Sequence, residues 1–137
     1  MAVRGWTSMS GRYLLDTNAA IRILNQKVNL QTRRGSGLEV FLSVTVVGEL
    51  YFGAEKSRDS EANRSRIDRL MELCPVVPLD VDTAHRYGVV KAMLRKKGRP
   101  IPENDLWIAA CALRHGLILA TFDGHFEEIE ELQVEVW

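Results

Sequence analysis

The sequence predicts an α/β protein, a three-layer α/β/α sandwich around a mainly parallel central sheet. Short apolar runs at Tyr13-Leu14-Leu15, Val40-Phe41-Leu42-Ser43-Val44 and Leu117-Ile118-Leu119-Ala120-Thr121 have the character of strands buried on both faces. Segments of helical apolar period lie between them. The alternation of the two favours parallel pairing, with helices covering the sheet. A chain of 137 residues that is 46% hydrophobic can fill one core, so one domain is expected over residues 12–137. Residues 1–11 show no periodicity and read as a flexible N-terminal extension, with Met9-Ser10-Gly11 resembling a second start.

Asp16 follows the first strand, and Thr17 or Asn18 is expected to cap a helix carrying Ala19, Ala20, Ile23 and Leu24. Lys27 to Gly37 is polar and without period, hence a loop. After the second strand, a helix from Thr45 places Val46, Leu50 and Gly53 on one stripe, with Glu49 among apolar neighbours. Residues 59–74 form an amphipathic helix through Ile67, Leu70, Met71 and Cys74, stopped by Pro75. Val76 to Leu79 is a short strand interrupted by Pro78, which places it at a sheet edge. Asp82 or Thr83 should cap the next helix, with Ala84, Tyr87, Val90, Met93 and Leu94 facing inward and Gly98 ending it. A helix from Glu103 to Leu113 is apolar nearly all round and therefore central, and Gly116 closes it. A short acidic helix from His125 and a last strand, Val134-Glu135-Val136, complete the order.

Eighteen basic residues balance eighteen acidic ones, so no global field draws the chain onto nucleic acid or membrane, and polyanion binding needs a local patch. Charged residues interrupt every apolar stretch long enough to span a bilayer, and the N-terminus lacks a signal-peptide pattern. No membrane association and a cytoplasmic location are expected. Cys74 and Cys111 have no Cys or His at metal spacing and are expected to be buried, reduced thiols.

Four acids fall at places where an α/β sheet builds sites. Asp16 and Asp123 end apolar strands, while Glu49 and Asp105 lie in the first turns of helices, so all four can meet at one sheet edge. Each has a plainer reading: Asp16 as a helix cap, Glu49 as a solvated first-turn acid favoured by the helix dipole. Glu49 on a buried face would need a cation or an ion. Crowded carboxylates need positive charge between them, and an oxygen-only donor set suits Mg²⁺ or Mn²⁺ rather than zinc. Such an ion suits phosphodiester hydrolysis.

These stretches resemble the four motifs of PIN-domain ribonucleases, and most closely VapC toxins of toxin–antitoxin modules. The motifs are Leu-Asp-Thr-Asn at 15–18, Ser-Val-Thr-Val-Val-Gly-Glu-Leu at 43–50 with Gly53 after it, Asn-Asp-Leu-Trp-Ile-Ala-Ala at 104–110, and Thr-Phe-Asp-Gly-His-Phe at 121–126. The resemblance implies an Mg²⁺- or Mn²⁺-dependent endoribonuclease in which Asp16, Glu49, Asp105 and Asp123 hold metal. It further implies Thr17, Asn18 and Thr121 as orienting polar neighbours, an RNA substrate with transfer RNA among the candidates, a cognate antitoxin, and a homodimer. His125, with no ligand role in the pattern, is expected to be a surface turn histidine, the alternative being a polar group near the site. Lys91, Arg95, Lys96, Lys97 and Arg99 are a candidate RNA-backbone patch or else a solvated helix end, and Glu127, Glu128, Glu130 and Glu131 an acidic face open to a basic partner. Trp6, Trp107 and Trp137 are too scattered for a stacking platform. Two other readings stay open: a non-catalytic PIN-like RNA- or protein-binding module, and a haloacid-dehalogenase-type phosphatase. The phosphatase would need a second acid where Asn18 stands.

Overall fold

The computed structural model describes residues 11–26, 30, 37–122 and 124–137. The proposed extension, Gly11 apart, lies outside them, as do the predicted loop, Leu30 and Gly37 apart, and Asp123.

The described strands are β1 (Arg12–Leu15), β2 (Glu39–Ser43), β3 (Val76–Val77), β4 (Ile118–Thr121) and β5 (Val134–Val136). The helices are α1 (Thr17–Leu24), α2 (Val44–Lys56), α3 (Ser60–Leu73), α4 (Val81–Lys97) and α5 (Glu103–His115). The strands form one sheet in the order β3-β2-β1-β4-β5, parallel at every pairing. Tyr13, Leu14 and Leu15 on central β1 are 1%, 0% and 0% exposed, as an apolar run covered on both faces requires. β3 holds the edge and stops before Pro78, since a proline cannot donate to a ladder.

Helices α1, α2 and α3 pack together, and α4 packs along α5. Right-handed crossovers that run outward from β1 and then reverse to β4 put these two groups on opposite faces. Ile108, Ala109, Ala110, Cys111 and Ala112 are all 0% exposed, so α5 is the central helix its composition predicts. Gly98 and Gly116 end α4 and α5 in the left-handed conformation, at φ of 70° and 66°. Cys74 and Cys111 are buried, and burial pushes the Cys111 thiol up to about 12, leaving it unreactive.

Local chemistry moves several boundaries. Asp16 itself, rather than Thr17 or Asn18, caps α1. Ser43 caps α2, which draws Val44 out of the strand and into the helix. Asp80 caps α4 in place of Asp82 or Thr83, accepting from the Thr83 amide at 2.9 Å and its hydroxyl at 2.8 Å. Thr83 is thereby turned inward at 0% exposure, and Ala84 faces solvent instead. The predicted acidic helix after His125 is a succession of turns. The Glu127 amide reaches the Gly124 carbonyl, and the Ile129 amide reaches that of Phe126. Burial of Phe126, Ile129 and Leu132 holds this stretch to the core without helical bonding.

The Asp80 cap carries a pH dependence. Hydrogen bonding from Arg114 first, then from Thr83, holds the Asp80 carboxyl far below its ordinary range. A depressed folded-state pKa contributes stability that is fully present above the unfolded value near about 4 and is lost as pH falls toward the folded one. Thermal melts between about pH 5 and pH 2 should therefore show the stability gap between wild type and Asp80→Asn closing as acid is added. Parallel curves would refute the assignment.

Candidate active site

In an open parallel sheet the carboxyl ends of two neighbouring strands whose chains leave in opposite directions enclose a crevice. Here those strands are β1 and β4. Asp16 follows β1 and is 3% exposed, its amide held to the Ala120 carbonyl at 3.0 Å. Its Oδ1 accepts the Ala19 amide at 2.8 Å, and its Oδ2 accepts the hydroxyl of Thr121, the last residue of β4. The cap and the site candidate are thus one residue, and both carboxylate oxygens are fixed in direction.

Glu49 lies in the second turn of α2. Its Oε1 accepts the Thr17 hydroxyl, and its Oε2 accepts the Asn104 side-chain amide at 3.0 Å. The Glu49 partners are therefore a hydroxyl and an amide, both neutral. Asp105, one residue beyond Asn104, is half-buried, and its Oδ2 lies 2.9 Å from His125 Nδ1. Residues 16, 17, 49, 104, 105 and 125 thus make one polar path along the carboxyl edge, Asp16 and Thr17 to Glu49, then Asn104 and Asp105 to His125. Asp123, between Phe122 and Gly124, lies outside the described residues.

Sequence reasoning assigns no role to Asn104 and places His125 on a surface turn. Asn104, the first residue of the 104–110 motif, serves as the bridge to Glu49. His125 is on a surface turn as expected, but its ring is bonded to Asp105 rather than idle. Thr17 and Thr121 each donate to a site carboxylate, while Asn18 stands exposed beside them.

Among the described residues, no three His, Cys, Asp or Glu side chains form a group that could hold a metal ion. The donor set along the edge is nevertheless carboxylate oxygen with hydroxyl and amide support. It fits a hard, partly hydrated cation, which takes one or two carboxylates and keeps its waters, and does not fit zinc.

The basic end of α4 runs into the start of α5. Lys91 pairs with Glu103 at 2.7 Å and donates to Tyr87 at 3.1 Å, and Tyr87 stacks on Trp107 with centroids 4.0 Å apart. Lys97 donates to the Glu128 carbonyl at 2.8 Å and faces the Glu128 and Glu130 carboxylates. Hydrogen bonding from Lys91 holds the Glu103 carboxyl below its ordinary range, and the same bond to Glu103 raises the Lys91 ammonium above its own. Arg95, Lys96 and Arg99 are exposed. The acidic face after β4 is thus in part the counter-charge of Lys97.

Two grooves flank Glu49. One of about 250 Å³ lies between α1, α2 and α3, lined by Ile21, Leu24, Leu50, Ala54 and Ile67, with Arg66 bonded to the Leu24 carbonyl. The other, open and about 590 Å³, runs past Val44, Gly48, Phe52 and Asn104. No helix among the described residues is long and apolar enough to cross a membrane.

A parallel sheet of this order, with a buried acid at its reversal point, defines the class of small α/β proteins with a polar crevice at the carboxyl edge. Comparison with known proteins places it more narrowly. A family model described as PIN domain matches residues 13–132. The chain is 35% identical over 130 residues to ribonuclease VapC2 of Haemophilus influenzae, covering 92% of this chain and 98% of that one. It is 34% identical to the tRNA(fMet)-specific endonuclease VapC of Shigella flexneri, with the same coverage. Among solved structures, VapBC2 of Rickettsia felis bound to a promoter DNA fragment superposes with a TM-score of 0.85 at 28% identity, over 92% of this chain and 98% of that one. VapBC-1 of nontypeable Haemophilus influenzae gives 0.84 at 32% identity and the same coverage. The chain belongs to the PIN-domain family and, within it, to the VapC ribonucleases.

Proposed function

We propose that the protein is a metal-dependent endoribonuclease, the toxin of a toxin–antitoxin pair, with residues 12–137 as its nuclease domain. The observation that carries this reading is that Thr17 and Asn104, the chain neighbours of Asp16 and Asp105, both bond Glu49, while Thr121 at the end of β4 bonds Asp16. Asp16, Glu49, Asp105 and Asp123 would hold Mg²⁺ or Mn²⁺. When bound, such an ion acidifies water and neutralises charge on the phosphate. Thr121 and the Ala19 amide fix Asp16, Thr17 and Asn104 fix Glu49, and these bonds set the direction in which the carboxylates face the substrate.

Transfer RNA is the first substrate class to test, because curated relatives are named for it. Of the basic run, the exposed Arg95, Lys96 and Arg99 are the better candidates for phosphate contact, since Lys91 and Lys97 already face carboxylates. An antitoxin segment is supported by the apolar groove between α1, α2 and α3, which opens beside Glu49. Exposed Val44 and Phe52, two turns apart on α2, support a homodimer covering that face. A ribonuclease acting on cellular RNA would work in the cytoplasm, which is the location proposed. The phosphatase alternative gains nothing from the structure, because Asn18 is not an acid.

The deciding experiment incubates purified protein with total RNA and transfer RNA, in Mg²⁺ or Mn²⁺ and in EDTA, beside Asp105→Asn. Cleavage should require the ion and fall by about 100-fold or more in the variant, the range expected when a charge-stabilising group is removed. Undiminished cleavage in EDTA, or in Asp105→Asn, would refute the reading.

A further inference from the structure

The ring of His125 is where the chain comes back to the crevice after β4. Phe126, next in sequence, is 1% exposed, and Ile129 is 2% exposed, so the turn is anchored in the core rather than left to solvent. The Glu127 amide closes it onto the Gly124 carbonyl. An anchored turn holds His125 over the first turn of α5, where Nδ1 meets Asp105 Oδ2 at 2.9 Å. An ionised carboxylate only accepts hydrogen bonds, so in this contact the proton is on Nδ1 and the histidine is the donor.

We infer that His125 is a positioning residue for Asp105: by donating Nδ1–H to Oδ2 it restrains the carboxylate's rotation and so the direction in which Asp105 faces an ion. This inference rests on the metal-dependent reading above and deepens it. The physical logic is that of an outer group orienting a ligand. A carboxylate free to spin about its terminal bond spreads its charge over many directions, and one held by a ring on a buried anchor does not. Asp16 and Glu49 obtain the same restraint from Thr121, Thr17 and Asn104. His125 gives Asp105 a donor from a turn 20 residues away.

The test reads Mn²⁺ binding by the free protein, by titration calorimetry and by loss of the free-Mn²⁺ paramagnetic resonance signal. His125→Ala should weaken binding by about 10- to 100-fold, as when an outer partner of a metal ligand is lost. The Asn side-chain nitrogen falls near the Nδ1 position and that of Gln near Nε2, so His125→Asn should recover most of the affinity and His125→Gln should not. Melting temperatures, measured alongside, should be unchanged because the exposed ring is not part of the anchor. Asp105→Asn separates the two claims. If it weakens Mn²⁺ binding while His125→Ala binds like wild type, the positioning role is overturned and the metal reading stands. Failure of His125→Asn to exceed His125→Gln likewise overturns the Nδ1 assignment. If wild type binds no Mn²⁺, or Asp105→Asn binds it undiminished, both fall together.

Discussion

Asp16→Asn should lower RNA cleavage by about 10³-fold or more while leaving the fold intact. Losing a ligand that stabilises transition-state charge removes several kcal/mol, and each 1.36 kcal/mol is about tenfold in rate. The substitution keeps what the fold needs from this position. The Asn carbonyl oxygen can take over the bond from the Ala19 amide, so α1 keeps its cap. The Asn nitrogen then faces Thr121, whose hydroxyl can rotate from donor to acceptor. What disappears is the negative charge, at a site 3% exposed where water cannot replace it. Asp16→Ala is the poorer probe, since losing the cap alone costs about 0.5–2 kcal/mol and would mix instability with inactivity. Circular dichroism and melting of Asp16→Asn, beside single-turnover cleavage, check the separation. Activity within tenfold of wild type would remove Asp16 from the mechanism.

That the cap of α1 and the site candidate are one residue shows why parts of this molecule are legible in the sequence and others are not. Apolar runs such as Leu117 to Thr121 declare a doubly covered strand by composition alone, and an acid just beyond such a run lies at the carboxyl edge whatever the strand order. Leu15-Asp16 could therefore be read from the sequence. Strand order could not, because Tyr13, Val40 and Ile118 are interchangeable as ladder partners until the helices choose a face. Caps were misplaced where several acids compete. Asp80 wins over Asp82 because Arg114, distant in sequence, completes its bonding. The pattern places His125 on a surface turn and cannot show its bond to Asp105, which exists only once β4 has delivered the turn to α5. The acidic stretch after it looks helical by charge, but Phe126, Ile129 and Leu132 are spaced three apart and each is drawn inward, giving turns.

A change two residues upstream of Asp16 should do the reverse. Leu14 is 0% exposed on the central strand, paired in register with Phe41 on β2 and Leu119 on β4. Both neighbours are themselves held in the sheet, so the site has little freedom to collapse around a smaller side chain. Leu14→Ala should cost about 2–5 kcal/mol, the upper part of the range applying where relaxation is blocked. Against a total stability of about 5–15 kcal/mol this is a large fraction, and for a domain of this size it corresponds to a fall in melting temperature of roughly 6–20 °C. The folded fraction should nevertheless cut RNA well, because β1 still delivers Asp16 to the same edge through its amide bond to Ala120. Cleavage normalised to folded protein at low temperature should lie within about threefold of wild type, since sites not sharing a partner add independently. The pair thus forms a double dissociation, Asp16→Asn losing chemistry with its stability kept and Leu14→Ala the converse. If Leu14→Ala abolished activity in molecules shown to be folded, the strand would be a tuned part of the site rather than its support, and the independence of core and crevice argued from this fold would be wrong.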